Sequence, residues 1–391
     1  MNLKEKESRL FFHTYKRLPL EVERGEGCYL YTKDGKKYLD MFSGLAVNAL
    51  GYAHPAIIKA VEEQVRKYTH LSNFFIQEPQ IQLAERLLTL SGFDKIFFSN
   101  SGTEAIEGSI KLIRKWGKQN GKKIIFGMSN GFSGRTMGAL SLMDKEKYRE
   151  GYEPFLPNFD SIDFNNVDDL TSKVDGQTAA VFLEFIQGEG GIVGVTEEFV
   201  SALKSLREKF GFLIVADEIQ SGIGRTGKLF GFQHFDIVPD IITVAKPIGG
   251  GLPVGAIIGS KKVADVWTYG VHGTTFGGNP VACAAGVATL DTVMTDSFLK
   301  NVVANAEYFK AKVVEMKAKF PVIKEIRVYG YMIGIELTIE SSSIVDAILQ
   351  KGVLVNSTAG NVIRILPPLI AGKQEFDRLL TVLSEVLAVT S

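Results

Sequence analysis

The chain has 391 residues, enough for two domains and a large core. Lysine plus arginine and aspartate plus glutamate both number 44, so no net field draws it to nucleic acid or an acidic membrane surface. Cys28 and Cys283 make no disulfide framework, and His13, His54, His70, His234 and His272 lack metal-site spacing, so no metal is expected.

The amino-terminal MNLKEKESRLFF carries charges but no long apolar stretch before a small-residue cleavage site. No uninterrupted apolar run approaches about 18 residues, so a membrane role is not expected and the anticipated location is the cytoplasm. Residues 15–50 hold CYLYTKDGKKYLDMF, which reads as a hairpin turning at Asp34-Gly35. Between His54 and Ala285, KIFFSN, KKIIFGM, AAVFLEF, GFLIVADE, DIITVAK and VGAIIGS are strand candidates rich in Ile, Val and Phe. Amphipathic stretches, among them Glu104 to Trp116 and Thr196 to Lys209, lie between some of them. That alternation implies an α/β fold whose mostly parallel sheet is covered by helices on both faces. After about residue 290, two long helical patterns enclose EIRVYGYMIGIEL and NVIRILPPL. Residues 54–285 are therefore expected to form a large domain, and residues 1–53 with 286–391 a smaller α+β domain.

Three segments carry chemical signals. SNSGTEAIEGSIKLIRKW places Ser101, Gly102 and Thr103 at a helix N-terminus, where free N–H groups and the dipole favour an anion such as phosphate. Alone, with Ser101 and Glu104 in an SxxE pattern, it is an ordinary capped helix. GIGRTG, Gly222 to Gly227, matches GxGxxG, but Leu229 stands where a P-loop needs Ser or Thr. KLFGFQHF is too aromatic and glycine-interrupted to be the helix of a dinucleotide site. FLIVADEIQ ends an apolar run on Asp217, and Lys246 stands between Ile241–Ala245 and a triple glycine. A lone strand-end lysine is most simply a solvated loop charge. Burial there instead lowers its pKa and frees a nucleophilic amine. A strand-end aspartate can hold a pyridine nitrogen protonated, so the pair suits a pyridoxal phosphate enzyme. A dehydrogenase reading leaves both residues unexplained.

SNSGTEA, GFSGRTMGAL, FIQGEGG, VADEIQSGIGRTG, TVAKPIGGGLPVGA, HGTTFGGNP and IRILPPL occur in the order seen in class III aminotransferases, and this resemblance spans nearly the whole chain. It implies a fold type I pyridoxal-5′-phosphate-dependent transferase with a mostly parallel, seven-stranded-type central sheet. Within the class, TYKRLPLEVERGEGCYLY and FSGLAVNALGYAHP are most similar to the acetylornithine aminotransferase subgroup.

By that resemblance, Lys246 is the Schiff-base lysine and proton shuttle, and Asp217 pairs with the pyridinium nitrogen. Gln220 lies near the phenolic oxygen, Ile219 lies under the ring, and Phe132 stacks on its other face. Ser101, Gly102 and Thr103 belong to the phosphate site, which Thr275, with Thr274, completes across a homodimer. Arg135, assisted by Tyr15, grips the carboxylate distant from the reacting amine. Arg364 binds the second carboxylate, and Glu189 covers Arg364 until 2-oxoglutarate arrives. Gly44 stands where ornithine-specific relatives carry a tyrosine, leaving room for an acyl group. Three departures are Ser133 in place of His, Phe185 in place of Pro, and Tyr331 in a glycine pattern; Glu184 is assigned no chemical role.

The implied reaction moves the δ-amino group of N-acetylornithine to 2-oxoglutarate. N-succinylornithine, ornithine, 4-aminobutyrate and other ω-amino donors remain alternatives. So do an aminomutase or decarboxylase of the same fold and a non-catalytic pyridoxal phosphate regulator.

Overall fold

Apolar runs of four to six residues that are buried along their whole length form strands covered on both faces, and here they build the centre of the molecule. A computed structural model describes residues 3–389. All six candidate runs are strands of one seven-stranded sheet. Its order is Lys95–Ser99, Gly255–Gly259, Ile241–Val244, Leu213–Asp217, Thr178–Leu183, Ile124–Met128 and Phe159–Ile162. Only Gly255–Gly259 runs against its neighbours. The seventh strand, Phe159–Ile162, escaped the sequence reading because FDSI sits at the sheet edge and lacks a continuous apolar run.

Helices Gly102–Gln119 and Glu197–Phe210 extend the two amphipathic stretches. Ile106, Ile110 and Ile113 of the first pack with Ile125, Leu213, Val215 and Ile257 beneath it. On the opposite face, Phe199 and Leu203 join Phe126, Val181 and Ile214. A separate apolar cluster draws on both chain ends. It joins Cys28, Leu39 and Met41 to Phe309, Ile333, Ile363, Phe376 and Leu383. The DG turn closes the Tyr29–Thr32 and Lys37–Asp40 hairpin, with Gly35 at φ 81°.

GIGRTG neither opens an α-helix nor faces the solvent. Arg225, fully buried, donates to the Pro367 carbonyl, and the Tyr331 N–H donates to the Arg225 carbonyl at 2.8 Å. The motif thus fastens the central core to the carboxy-terminal sheet of Ile323–Tyr329, Met332–Leu337, Val362–Ile365 and Asn356–Thr358. Tyr331 fills this junction, its hydroxyl donating to the Ala371 carbonyl at 2.6 Å. Phe185, the second departure, is buried against Phe235, with ring centroids 5.6 Å apart.

Ser43, Gly44, Leu45 and Ala46 form a left-handed turn with φ of 48°, 63°, 64° and 65°. Such φ values are unfavourable for the three residues that carry a Cβ. Asp40 holds the turn: Oδ1 accepts the Phe42 and Ser43 N–H groups at 2.9 Å each, and Oδ2 accepts the Tyr52 hydroxyl at 2.6 Å. Asp40→Ala leaves these three donors unpaired and is expected to lower unfolding free energy by about 3 kcal/mol, against about 1 kcal/mol for Tyr52→Phe. Denaturant unfolding checks this, and a smaller loss in Asp40→Ala than in Tyr52→Phe removes Asp40 as the anchor.

Candidate active site

Residues just past the carboxyl ends of the sheet strands line a cavity of about 440 Å³. Ser101 follows Lys95–Ser99, Phe132 follows Ile124–Met128, Glu184 follows Thr178–Leu183, and Lys246 follows Ile241–Val244. Asp217 is the last residue of its own strand, in register with Thr243.

Asp217 is 6% exposed. Its Oδ1 accepts the Ile219 N–H at 3.1 Å and the Thr243 hydroxyl at 3.3 Å. Oδ2 is left as an unused acceptor among the described residues. Glu184 accepts the Phe132 N–H at 2.9 Å and the Gly188 N–H at 3.0 Å. Desolvation pushes both carboxyls upward from their ordinary range, and the Asp217 charge adds to the shift of Glu184. Lys246 is pushed downward, first by burial and then by the Arg364 charge, against the pull of Asp217, Glu184 and Glu189.

Arg364, 2% exposed, stands behind Glu189, which lines the cavity. Its Nη1 donates to Glu189 Oε1. Its Nε and Nη2 donate to Asn356 Oδ1 at 3.0 and 2.6 Å. Asn356 and Arg364 face each other across paired strands, which sets this fork. Arg364 pulls the Glu189 carboxyl below its usual range despite burial. Elsewhere on the cavity wall Arg135 is exposed, its guanidinium 3.8 Å from the Tyr148 ring centre and 5.4 Å from that of Phe132.

Ser101 caps helix Gly102–Gln119 by accepting the Glu104 N–H at 3.3 Å, while the Glu104 carboxylate accepts the Asn100 N–H rather than closing the SxxE box. A Cβ on Gly102 would lie 2.8 Å from Ile219, so the helix start and the Ile219 side chain are in close contact. Gln220 Oε1 is buried without a hydrogen-bond partner. The N–H of Ser133 donates to Met143 Sδ at 3.2 Å.

Ser101, Gly102, Thr103, Phe132, Arg135, Glu189, Asp217, Ile219, Gln220 and Lys246 thus line one cavity. Arg364 stands behind Glu189 rather than on the lining, and four further expected residues lie outside it. Thr274 and Thr275 line a separate depression of about 750 Å³ with His70, Phe74 and Tyr269. Tyr15 is 76% exposed, its ring centre 5.8 Å from the Arg17 guanidinium. Gly44 lies in the left-handed turn, from which Val47 reaches the cavity instead. Glu184 and Asn356 were missed as site residues, as was Lys145, whose ammonium donates to the Glu189 carbonyl at 3.1 Å. Glu184 ends an apolar strand run as Asp217 does, a usable signal; Asn356 has no local one.

Residues 11–387 match the model of the class III aminotransferase family. The chain belongs to this family. It is 44% identical over 386 residues to an acetylornithine aminotransferase of Caldanaerobacter subterraneus subsp. tengcongensis, covering 98% of each chain. The N-acetylornithine aminotransferase structure from Stenotrophomonas maltophilia superposes with TM-score 0.85 and 32% identity, over 96% of this chain and 97% of that one. An ornithine aminotransferase structure from Toxoplasma gondii, with partial occupancy of PLP at its active site, gives TM-score 0.93 and 29% identity over 99% and 94%. This aminotransferase uses pyridoxal 5′-phosphate as cofactor and acts on an amino donor and a keto acid. No helix among the described residues is long and apolar enough to cross a membrane. No group of three or more His, Cys, Asp or Glu among them could hold a metal ion.

The raised carboxyl of Asp217 has a stability consequence in the cofactor-free protein. Folding raises its pKa, so its contribution is present at low pH and is lost as pH rises through the folded value. From pH 5 to pH 8 the apoprotein is expected to lose about 1 kcal/mol more stability than Asp217→Asn, which cannot titrate there. Denaturant unfolding at both pH values checks it. Equal losses in the two proteins mean that the carboxyl is not raised.

Proposed function

We propose that this aminotransferase moves the δ-amino group of N-acetylornithine to 2-oxoglutarate, giving the semialdehyde and glutamate. The observation that carries this reading is Glu189, paired with Arg364, on the wall of a cavity that Arg135 also lines. Two guanidiniums suit a dicarboxylate, and one that a carboxylate can cover also suits a donor with an uncharged ω-end. The relatives named acetylornithine aminotransferase support the choice of donor.

The residues present fit the cofactor. The first-turn N–H groups of Gly102 and Thr103, without intrahelical acceptors, suit its phosphate. The unused Asp217 Oδ2 suits a pyridinium N–H. The orphaned Gln220 amide suits a polar ring substituent, whichever way the amide is turned. Phe132 and Ile219 offer apolar surfaces to the ring. Bound there, pyridoxal 5′-phosphate supplies an electron sink for negative charge at the carbon bearing the transferred nitrogen.

Lys246 Nζ, with its lowered pKa, would hold the cofactor between turnovers and is placed to move a proton to and from the reacting carbon. Asp217 keeps a proton on the pyridine nitrogen. In the first half-reaction Arg135 holds the α-carboxylate of N-acetylornithine, the δ-amine points to Lys246, and Glu189 stays on Arg364. In the second, the distal carboxylate of 2-oxoglutarate takes Arg135 and its α-carboxylate displaces Glu189 from Arg364. Glu189 thereby adapts one cavity to two substrate shapes. We further propose a homodimer, in which a second copy covers exposed Phe74, Ile76, Tyr269 and Phe276 and places Thr274 and Thr275 at its neighbour's phosphate site.

Lys246→Ala is expected to abolish turnover yet retain noncovalent cofactor, since the phosphate and stacking surfaces persist. Absorbance after dialysis and multiple-turnover assay read the two properties. Turnover surviving without added amine removes Lys246 from its role.

Glu189→Ala leaves Arg364 uncovered, so glutamate becomes a better donor and N-acetylornithine a worse one. A change of about 1.4 kcal/mol shifts the ratio of their single-turnover rates tenfold. A ratio that stays put, or moves toward N-acetylornithine, shows that Glu189 is not the gate.

A further inference from the structure

Glu189 forms part of the wall between two cavities. One is the active-site cavity; the other, of about 560 Å³, is lined on its far side by Lys145, Tyr148, Ser357, Thr358 and Gly360. The Glu189 main chain is pinned where it stands. Its carbonyl accepts the Lys145 ammonium and the Thr358 hydroxyl, each at 3.1 Å. Its carboxylate is tied more lightly, with one hydrogen bond, from Arg364 Nη1. Arg364 also donates through Nε and Nη2 to Asn356, so release of Glu189 leaves the guanidinium oriented.

A carboxylate leaving a guanidinium at a partly desolvated wall needs another cation or water, or its charge is stranded. Three cations act on Glu189: Arg364, Lys246 and Lys145. Arg364 is the one being vacated, and Lys246 faces the reacting carbon. Lys145 remains. It is half-buried, lines the second cavity beside Glu189, and meets the fields of Glu189, Glu184, Asp144 and Arg364. With the Glu189 main chain held by Lys145 itself, rotation of the side chain alone carries the carboxylate toward this ammonium.

We propose that Lys145 is the counter-charge that receives the Glu189 carboxylate when an α-carboxylate takes Arg364. Lys145 is then a positioning residue for the keto-acid half of the reaction, a specificity device acting through Glu189. This rests on the gating role of Glu189 proposed above. No covalent step is involved, and one ion pair is exchanged for two.

The test is binding of glutarate, an unreactive dicarboxylate that needs both Arg135 and Arg364, measured by calorimetry on the cofactor-loaded enzyme. Lys145→Met is expected to weaken glutarate about tenfold, equivalent to about 1.4 kcal/mol. Lys145→Arg keeps the cation and most of the affinity. Thr358→Val, which frees the same carbonyl without removing a charge, loses less than Lys145→Met. Glu189→Ala tightens glutarate, and adding Lys145→Met to it changes the affinity less than about twofold, because no carboxylate is left to receive.

A tenfold loss that persists in the Glu189→Ala background means that Lys145 acts on the ligand or the local fold, and overturns the proposal. Lys145→Met without effect overturns it too, while tightening by Glu189→Ala leaves the gate itself standing. If Glu189→Ala does not tighten glutarate, the gate fails and takes Lys145 with it.

Discussion

Burying a guanidinium is costly unless a partner offsets the lost hydration, and Glu189 supplies that partner to Arg364, which is 2% exposed. Removing one member of a buried pair costs about 3–5 kcal/mol, because the other charge is stranded. Arg364 must therefore be held in register, and its strand is held from three sides. The Leu366 N–H donates to the Met41 carbonyl at 2.8 Å, the Ser43 hydroxyl donates to the Leu366 carbonyl at 2.6 Å, and Arg225 donates to Pro367. Amino-terminal segment, central core and carboxy-terminal sheet meet within three residues of Arg364. The same pair makes an exchange of partners possible, since a ligand carboxylate repeats what Glu189 does.

Around Lys246 the electrostatics are balanced rather than neutral. Glu184 and Asp217 sit at the ends of adjacent parallel strands, and Glu218 follows, fully buried and pushed up to about 7 mainly by desolvation. Each carboxylate is also a structural acceptor. Glu218 takes the Ser221 hydroxyl and the Gly231 and Phe232 N–H groups, tying the loop after Asp217 to the next. Glu184 takes the Phe132 and Gly188 N–H groups, so one side chain links the aromatic wall to the turn carrying Glu189. Burial that raises these carboxyls also lowers Lys246, and both shifts follow from closing loops over strand ends.

The central sheet was legible because a strand covered on both faces must be apolar at every position, as LIVAD and IITV are. FDSI, at the edge, carried no such mark. The strand-end logic found Asp217 and Lys246 and applies equally to Glu184, whose apolar run AAVFLEF continues past the carboxylate and disguises the end. Asn356 and Lys145 were invisible for another reason: Asn356 meets Arg364 only through the pairing of two short strands, and Lys145 meets Glu189, 44 residues on, through a loop contact. Thr274, Thr275 and Tyr15 came from resemblance, and within one chain none of them lines the cavity, although Thr274 touches its rim by accepting the Asn100 amide at 3.2 Å. Gly44 was read as an absence of bulk, but its φ of 63° makes it a backbone position as well, and the side chain that reaches the cavity belongs to Val47.

Lys246 itself is the sharpest conflict between local preference and global need. Its φ is 48°, and the following Pro247 disfavours helical conformations in the residue before it. Such a residue costs about 1–3 kcal/mol and persists only where its surroundings over-determine it. Val244, Ala245, Pro247, Ile248 and Gly249 are all buried on either side, and burying a side chain such as Ile248 contributes about 1.5–3 kcal/mol. The strand ends at Val244, and after Ala245 the abrupt turn begins the 3₁₀ turn Lys246–Gly249. An extended backbone would have continued the strand beyond the sheet edge. The left-handed residue instead stops the amine at the strand end, beside the carboxylates that the neighbouring strands bring to the same level.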